Sequence, residues 1–236
     1  MFRTIRPLIM ALALALTPSL SPASVAAAPI LPDLMMEPLT DIQIETTTDG
    51  RRLLRFTTVI ANIGAGRFEV LGSRPDTSTP TMTVSQLIYN DSTNAQTVAT
   101  PATMFYAGDG HSHWHVTNLE EYTLERLDNG SKVGAGAKVG YCFYDNAVHD
   151  LSLPGAPASP YYTNCGTSSS LTLRTGLSVG WGDKYAWFLP GQYIDITGLT
   201  AGNYRLRAIA DPSDWFQEAN NANNGTYTDI SPSIPS

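Results

Sequence analysis

The chain has 236 residues, with 21 acidic and 14 basic side chains and a formal net charge of -7 at pH 7. This balance excludes a nucleic-acid binder, which needs basic patches to meet phosphate. The length suits one domain or two.

The first 28 residues read as a secretory signal peptide. A basic start (MFRTIR) precedes an apolar run (LIMALALALTPSL) and a small-residue stretch ending at Ala27 and Ala28. The alternative is a membrane anchor, but the run is shorter than the roughly 20 residues a spanning helix needs. Cleavage leaves residues 29–236 as an exported domain. In an oxidising compartment its two cysteines, Cys142 and Cys165, read as one disulfide rather than a metal-binding pair.

Strand signals follow in order. Residues 53–64 (LLRFTTVIANIG) are rich in β-branched side chains and end at a glycine. Residues 66–72, 83–89 and 97–106 come next. Residues 113–127 (HWHVTNLEEYTLERL) read as one strand that stops at Asp128-Asn129-Gly130, and 138–145 follow. The stretch 146–191 is rich in Pro, Ser and Gly and reads as irregular. Residues 192–197, 203–212 and 226–230 close the chain. Helical periodicity is nearly absent. The expected fold is all-β, a single antiparallel sandwich-like domain with long irregular loops.

Three of the four histidines, His111, His113 and His115, stand at alternate positions in DGHSHWHV. Alternate residues of a strand share a face. Three neutral imidazoles on one face suit copper or zinc with an open position for water or substrate. A solvated strand that happens to carry histidines is the plainer reading. His149 stands alone in the irregular stretch and reads as a surface residue. The loop holding Glu218, Asn220, Asn223 and Asn224 offers oxygen donors that suit calcium, or simply Asn-rich turns.

With the histidine segment, AKVGYCFYD (137–145) and GDKYAWFLPGQYIDIT (182–197), followed by GNYRLRAIADP and EANNANN, resemble the catalytic domain of the lysyl oxidase family of copper amine oxidases. PDLMMEPL and RRLLRFTTVIANIG resemble its start. The chain reads as a secreted, bacterial-type member. The resemblance implies that His111, His113 and His115 ligate copper. It also implies that Lys138 and Tyr185 are the two halves of a lysine tyrosylquinone, and that calcium can bind near the closing loop. The implied reaction converts a primary amine, on a protein lysine or a small molecule, to an aldehyde with release of ammonia and hydrogen peroxide. O2 is the co-substrate. Neither a nucleic-acid partner nor a membrane span in the mature chain is expected. Asp183, two residues before Tyr185, is the first candidate for the base that removes the substrate's α-proton; capping a turn is its bland alternative.

The chain departs from cysteine-rich animal members. Trp181 and Gly191 stand where a family disulfide flanks the cofactor tyrosine. Two other functions remain open at this stage. A non-enzymatic copper- or zinc-binding sandwich needs the histidines but neither Lys138 nor Tyr185. A zinc hydrolase would use the three histidines and a bound hydroxide.

Overall fold

The computed structural model describes residues 28–230 except 92, 108–111 and 139. The proposed leader and His111 therefore lie outside the described residues, apart from Ala28 at the leader's end. Sixteen strands occur in chain order among the described residues. The first six are β1 (Leu34–Met36), β2 (Thr40–Thr46), β3 (Arg52–Asn62), β4 (Phe68–Ser73), β5 (Thr81–Tyr89) and β6 (Ala95–Tyr106). Then come β7 (Trp114–Thr117), β8 (Glu120–Arg126), β9 (Lys132–Ala135), β10 (Gly140–Tyr141) and β11 (Ala147–Val148). The last five are β12 (Thr172–Leu177), β13 (Trp181–Tyr185), β14 (Tyr193–Asp195), β15 (Tyr204–Ala210) and β16 (Gly225–Ile230). No helix occurs among the described residues, so none there is long and apolar enough to cross a membrane.

The strands form three antiparallel sheets, and the fold is all-β as expected. One sheet runs β10-β7-β6-β5-β4-β12, and a second runs β16-β15-β8-β9. The third is organised on β3, which pairs with β1, β2, β13 and β14. β3 is buried along most of its length, as a strand covered on both faces must be. β15 alternates cleanly, with Tyr204, Leu206, Ala208 and Ala210 facing inward. The inner faces meet in a single aromatic-rich core, where Phe56 stands edge-on to Tyr122 and Phe68 edge-on to Phe143.

Two expectations about individual elements are corrected. The stretch 113–127 is two strands, not one. Asn118 adopts a left-handed backbone (φ 56°), a conformation that asparagine tolerates better than most residues. The chain there leaves the six-stranded sheet as β7 and enters the four-stranded sheet as β8. The stretch 146–191 is not wholly irregular, because it contains β11, β12 and β13. Glycines inside the last two weaken the strand signal but serve close packing. A Cβ on Gly176 would lie 2.0 Å from the Phe68 carbonyl oxygen on β4.

The cysteines form the expected disulfide, with Cα atoms 5.9 Å apart. The bridge ties the end of β10 to the loop before β12. Replacing both cysteines by serine is expected to lower stability by about 3 kcal/mol on the chain-entropy estimate, read from the denaturant midpoint. An unchanged midpoint would show that the loop is held without the bridge.

Candidate active site

The two described histidines sit where β6 and β7 meet. Phe105 pairs with His115 in the ladder, and the Ala107 N–H bonds to the His113 carbonyl at 2.9 Å. His115 is buried, edge-on to the Phe105 ring. The Nε2 atoms of His113 and His115 lie 2.9 Å apart. Two nitrogens at that separation can both bind one ion at about 2.0 Å, subtending about 90°. The pair thus fits a metal, and nitrogen donors favour copper over zinc in intrinsic affinity. Among the described residues no three His, Cys, Asp or Glu side chains converge as a metal site; His111 would be the third ligand.

Trp114 points away from the histidine face, as strand alternation requires. Its indole N–H donates to the Thr167 carbonyl at 2.7 Å, and its backbone N–H donates to the Cys165 carbonyl at 2.9 Å. The disulfide continues this connection to Cys142. There the backbone N–H donates to the Tyr185 hydroxyl oxygen at 3.1 Å. The histidine strand and Tyr185 are therefore joined through a short series of bonds.

Tyr185 closes β13, opposite Thr58 of β3. It is 5% exposed and edge-on to Tyr141, with centroids 4.8 Å apart. Lys138, 8% exposed, precedes β10. Its Nζ lies 4.9 Å from the Tyr185 ring centroid and 5.3 Å from that of Tyr141. Two residues separated by 47 positions in sequence thus meet at a cation–π distance. Gly191, with φ 76°, runs beside Lys138; a Cβ there would be 3.7 Å from the Lys138 Cβ. Trp181 is buried and donates its indole N–H to the Pro157 carbonyl at 2.9 Å. The strand leading to Tyr185 is thus held by an aromatic anchor at one of the two positions read from the sequence as replacing a family disulfide.

Two carboxyls are enclosed with this pair. Burial pushes Glu120 up to about 8, against the opposing pull of the Tyr122 and Thr58 hydroxyls and the Lys138 charge. Those hydroxyls bond each other at 2.8 Å, and neither Glu120 oxygen has a hydrogen bond of good geometry among the described residues. Burial, then the Glu120 charge, pushes Asp183 well above the ordinary carboxylate range, with the Asn146 amide opposing at 2.7 Å. Burial also raises Tyr185 well above its usual value, followed by the effect of the Asp183 charge. Its phenol is therefore neutral at physiological pH. Beside Glu120 and Lys138 opens a cleft of about 340 Å³, lined also by Asn118, Gly136, Pro212 and Ser213.

The closing loop gathers a second set of oxygens. Glu218 accepts the Leu34 N–H and the Asn224 side-chain amide, and Asn223 donates to Asp33 at 2.8 Å. The side-chain carbonyls of Asn223 and Asn224 are buried without a hydrogen-bond partner among the described residues. Asn220 instead caps a turn by accepting the Ala222 N–H.

The structure therefore unites Lys138 with Tyr185, and His113 with His115. Asp183 shares the face of Tyr185 but does not line the cleft. His149 pairs with Glu37 at 2.7 Å, on the partly exposed rim. Glu120, Tyr122 and Tyr141 are the residues that sequence reasoning passed over. Their signal was present: positions 120, 122 and 124 alternate inward in β8, so Glu120 is a charge placed on the apolar face.

The protein-family model described as lysyl oxidase matches residues 76–232. Lysyl oxidase homolog 3A of Danio rerio is 27% identical over 174 residues, covering 74% of this chain and 18% of that protein. Lysyl oxidase homolog 4 of Homo sapiens is 28% identical over 181 residues, with the same coverage of 74% and 18%. Protein-lysine 6-oxidase of Gallus gallus is 31% identical over 134 residues, 55% of this chain and 29% of that protein. The chain thus spans less than a third of the length of these relatives.

The raised Glu120 carboxyl has a consequence for stability. A group that binds its proton more tightly when folded stabilises the fold fully below its unfolded value, and that contribution is lost as pH rises through the folded value. For Glu120 the window runs from about 4.5 to about 8. Glu120→Gln, a neutral mimic, should gain stability relative to the unsubstituted chain as pH rises across this window. Urea unfolding of both proteins at several pH values measures it; parallel curves would refute the assignment.

Proposed function

The chain belongs to the lysyl oxidase family, which uses copper and a lysine tyrosylquinone, and on that premise we propose that it is an exported, quinone-dependent amine oxidase. Residues 1–28 direct export, and residues 29–236 form the catalytic domain. Primary amines, on protein lysines or small molecules, are converted to aldehydes with release of ammonia and hydrogen peroxide. His111, His113 and His115 hold copper. Lys138 and Tyr185 combine to form the cofactor.

The observation that carries this reading is the 4.9 Å between Lys138 Nζ and the Tyr185 ring centroid, with both residues buried. A solvent-facing lysine or a packing tyrosine would not require that meeting. The cross-linked quinone supplies an electrophile for the amine substrate, and copper with O2 restores its oxidised state. The chain's own residues do the positioning. The Cys142 backbone holds the phenol oxygen from both sides, donating at 3.1 Å and accepting at 3.4 Å. The edge-on Tyr141 ring packs against both Lys138 and Tyr185. Such fixed geometry replaces a bimolecular encounter with an intramolecular one.

Calcium is assigned to Glu218, Asn223 and Asn224, with Asp33 alongside. Two buried amide carbonyls lacking donors, beside carboxylates, are the oxygen set a hard cation satisfies. Asn220 is left out of the set because its side chain serves the turn.

Peptide mass mapping of the copper-loaded, aerated chain should find the peptides holding Lys138 and Tyr185 covalently joined, and Lys138→Arg or Tyr185→Phe should abolish both the link and amine-dependent peroxide release. Unmodified peptides after full copper loading would sink the quinone reading. Calcium at about 100 times its Kd should raise stability by about 2.7 kcal/mol, and Asn224→Ala should remove most of that gain. Equal melting temperatures with and without calcium would refute the site.

A further inference from the structure

Lys138 is approached by two strand ladders. Between β8 and β9, Thr123 pairs with Ala135 and Leu124 with Gly134. The Gly136 N–H bond to the Tyr122 carbonyl, at 3.0 Å, carries that register beyond the end of β9. Beyond Gly136 the chain turns to β14, where the Ala137 N–H bonds to the Tyr193 carbonyl at 3.0 Å. Between β7 and β10, Gly140 pairs with Thr117 and Tyr141 with Val116. Lys138 thus lies between the segment bonded to β8 and the segment paired with β7, the two strands that flank the Asn118 turn. Strand alternation puts position 120 on the inward face with Tyr122 and Leu124, and Glu120 and Lys138 share the wall of one cleft.

We propose that Glu120 is the proton acceptor for Lys138 during cofactor formation, taking a proton from the Nζ ammonium so that the nitrogen can attack the oxidised Tyr185 ring. This inference rests on the quinone reading above. An ammonium has no lone pair and cannot be a nucleophile. Glu120 is a buried carboxyl on the same cleft wall as Lys138, which puts a proton acceptor on the ammonium's side of the site. In a buried pair, desolvation disfavours both charged forms, and the neutral carboxylic acid and amine gain relative to the ion pair. The raised proton affinity of Glu120 agrees with this role.

The balance is simple. One proton moves from Nζ to a Glu120 oxygen. The freed electron pair makes the bond from Nζ to a ring carbon of Tyr185 that O2 has already oxidised. Return of the adduct to the quinone level releases two electrons and two protons, which a further O2 takes up as hydrogen peroxide.

The other groups facing Glu120 are poorer acceptors. Tyr122 beside it, Tyr141 from β10 and Tyr185 from β13 are buried phenols held protonated. Asp183 from β13 is bonded through one oxygen to Asn146 and does not line the cleft. Glu121 also lines the cleft, but it is half-exposed and its carboxylate pairs with Lys132 at 2.6 Å.

The test uses the full chain produced without copper, as the unsubstituted protein, E120Q and E120D. Each is given copper and air, and quenched samples are mapped for the joined peptides. At neutral pH, E120Q should link at least about tenfold more slowly, with unchanged copper content and a melting temperature no lower than that of the unsubstituted protein, and E120D should recover part of the rate. The unsubstituted rate should level off above about pH 8, whereas that of E120Q should keep climbing as hydroxide replaces the carboxylate. Linking of E120Q at the unsubstituted rate overturns the proposal. So does equal slowing of E120Q and E120D accompanied by lost copper or a lowered melting temperature, which marks a packing role. Should E120Q fail to fold, the unsubstituted protein still decides: a linking rate independent of pH overturns the assignment. Absence of a link in the unsubstituted protein instead removes the quinone reading, and this proposal with it.

Discussion

Desolvation governs this site. An amine, two carboxyls and three phenols are enclosed together, in a region where an isolated charge costs several kcal/mol. The enclosed groups can meet that cost only by sharing protons and partners. Tyr185 is bonded to the Cys142 backbone, Asp183 to Asn146, and Tyr122 to Thr58. The same low polarity strengthens every remaining electrostatic contact. An environment that disfavours charge on lysine and glutamate is also one in which lysine can become a nucleophile.

The architecture serves that enclosure. β3 supplies Thr58 and the pairing partner of Tyr185. β8 supplies Glu120 and Tyr122, and β10 supplies Tyr141. His115 comes from β7, and His113 from the bend before it. No single sheet holds the site; it draws on all three, and the disulfide with Trp114 joins the histidine strand to Tyr185.

Much of this was legible in the sequence. β-Branched composition and a closing glycine revealed β3, alternation revealed β4, and turn residues marked the start of β15. The histidine spacing placed His113 and His115 on one face, where the structure brings their rings together, and the two cysteines revealed their own pairing. What was not legible has physical causes. The break at Asn118 is one backbone angle in an otherwise regular run. β12 and β13 carry glycines where neighbouring backbones come close, which looks like a loop in composition. Tyr185 and Lys138 are ordinary residue types, and only the resemblance singled them out. Glu120 was visible as a misplaced charge, but its proximity to Lys138 depends on a ladder of which one side is a short, weakly marked strand.

The turn at Asn118 has one more implication. Upstream of it the chain presents His115, and downstream it presents Glu120. Both must face the interior, although they belong to different sheets. Because side chains alternate with a period of two, lengthening or shortening this junction by one residue would reverse one face relative to the other. Substitutions at Asn118 that accept a left-handed backbone preserve the arrangement, whereas a single-residue insertion or deletion beside it does not. The number of residues between the histidine face and the carboxyl is therefore constrained independently of their identity, so the junction behaves as a molecular ruler.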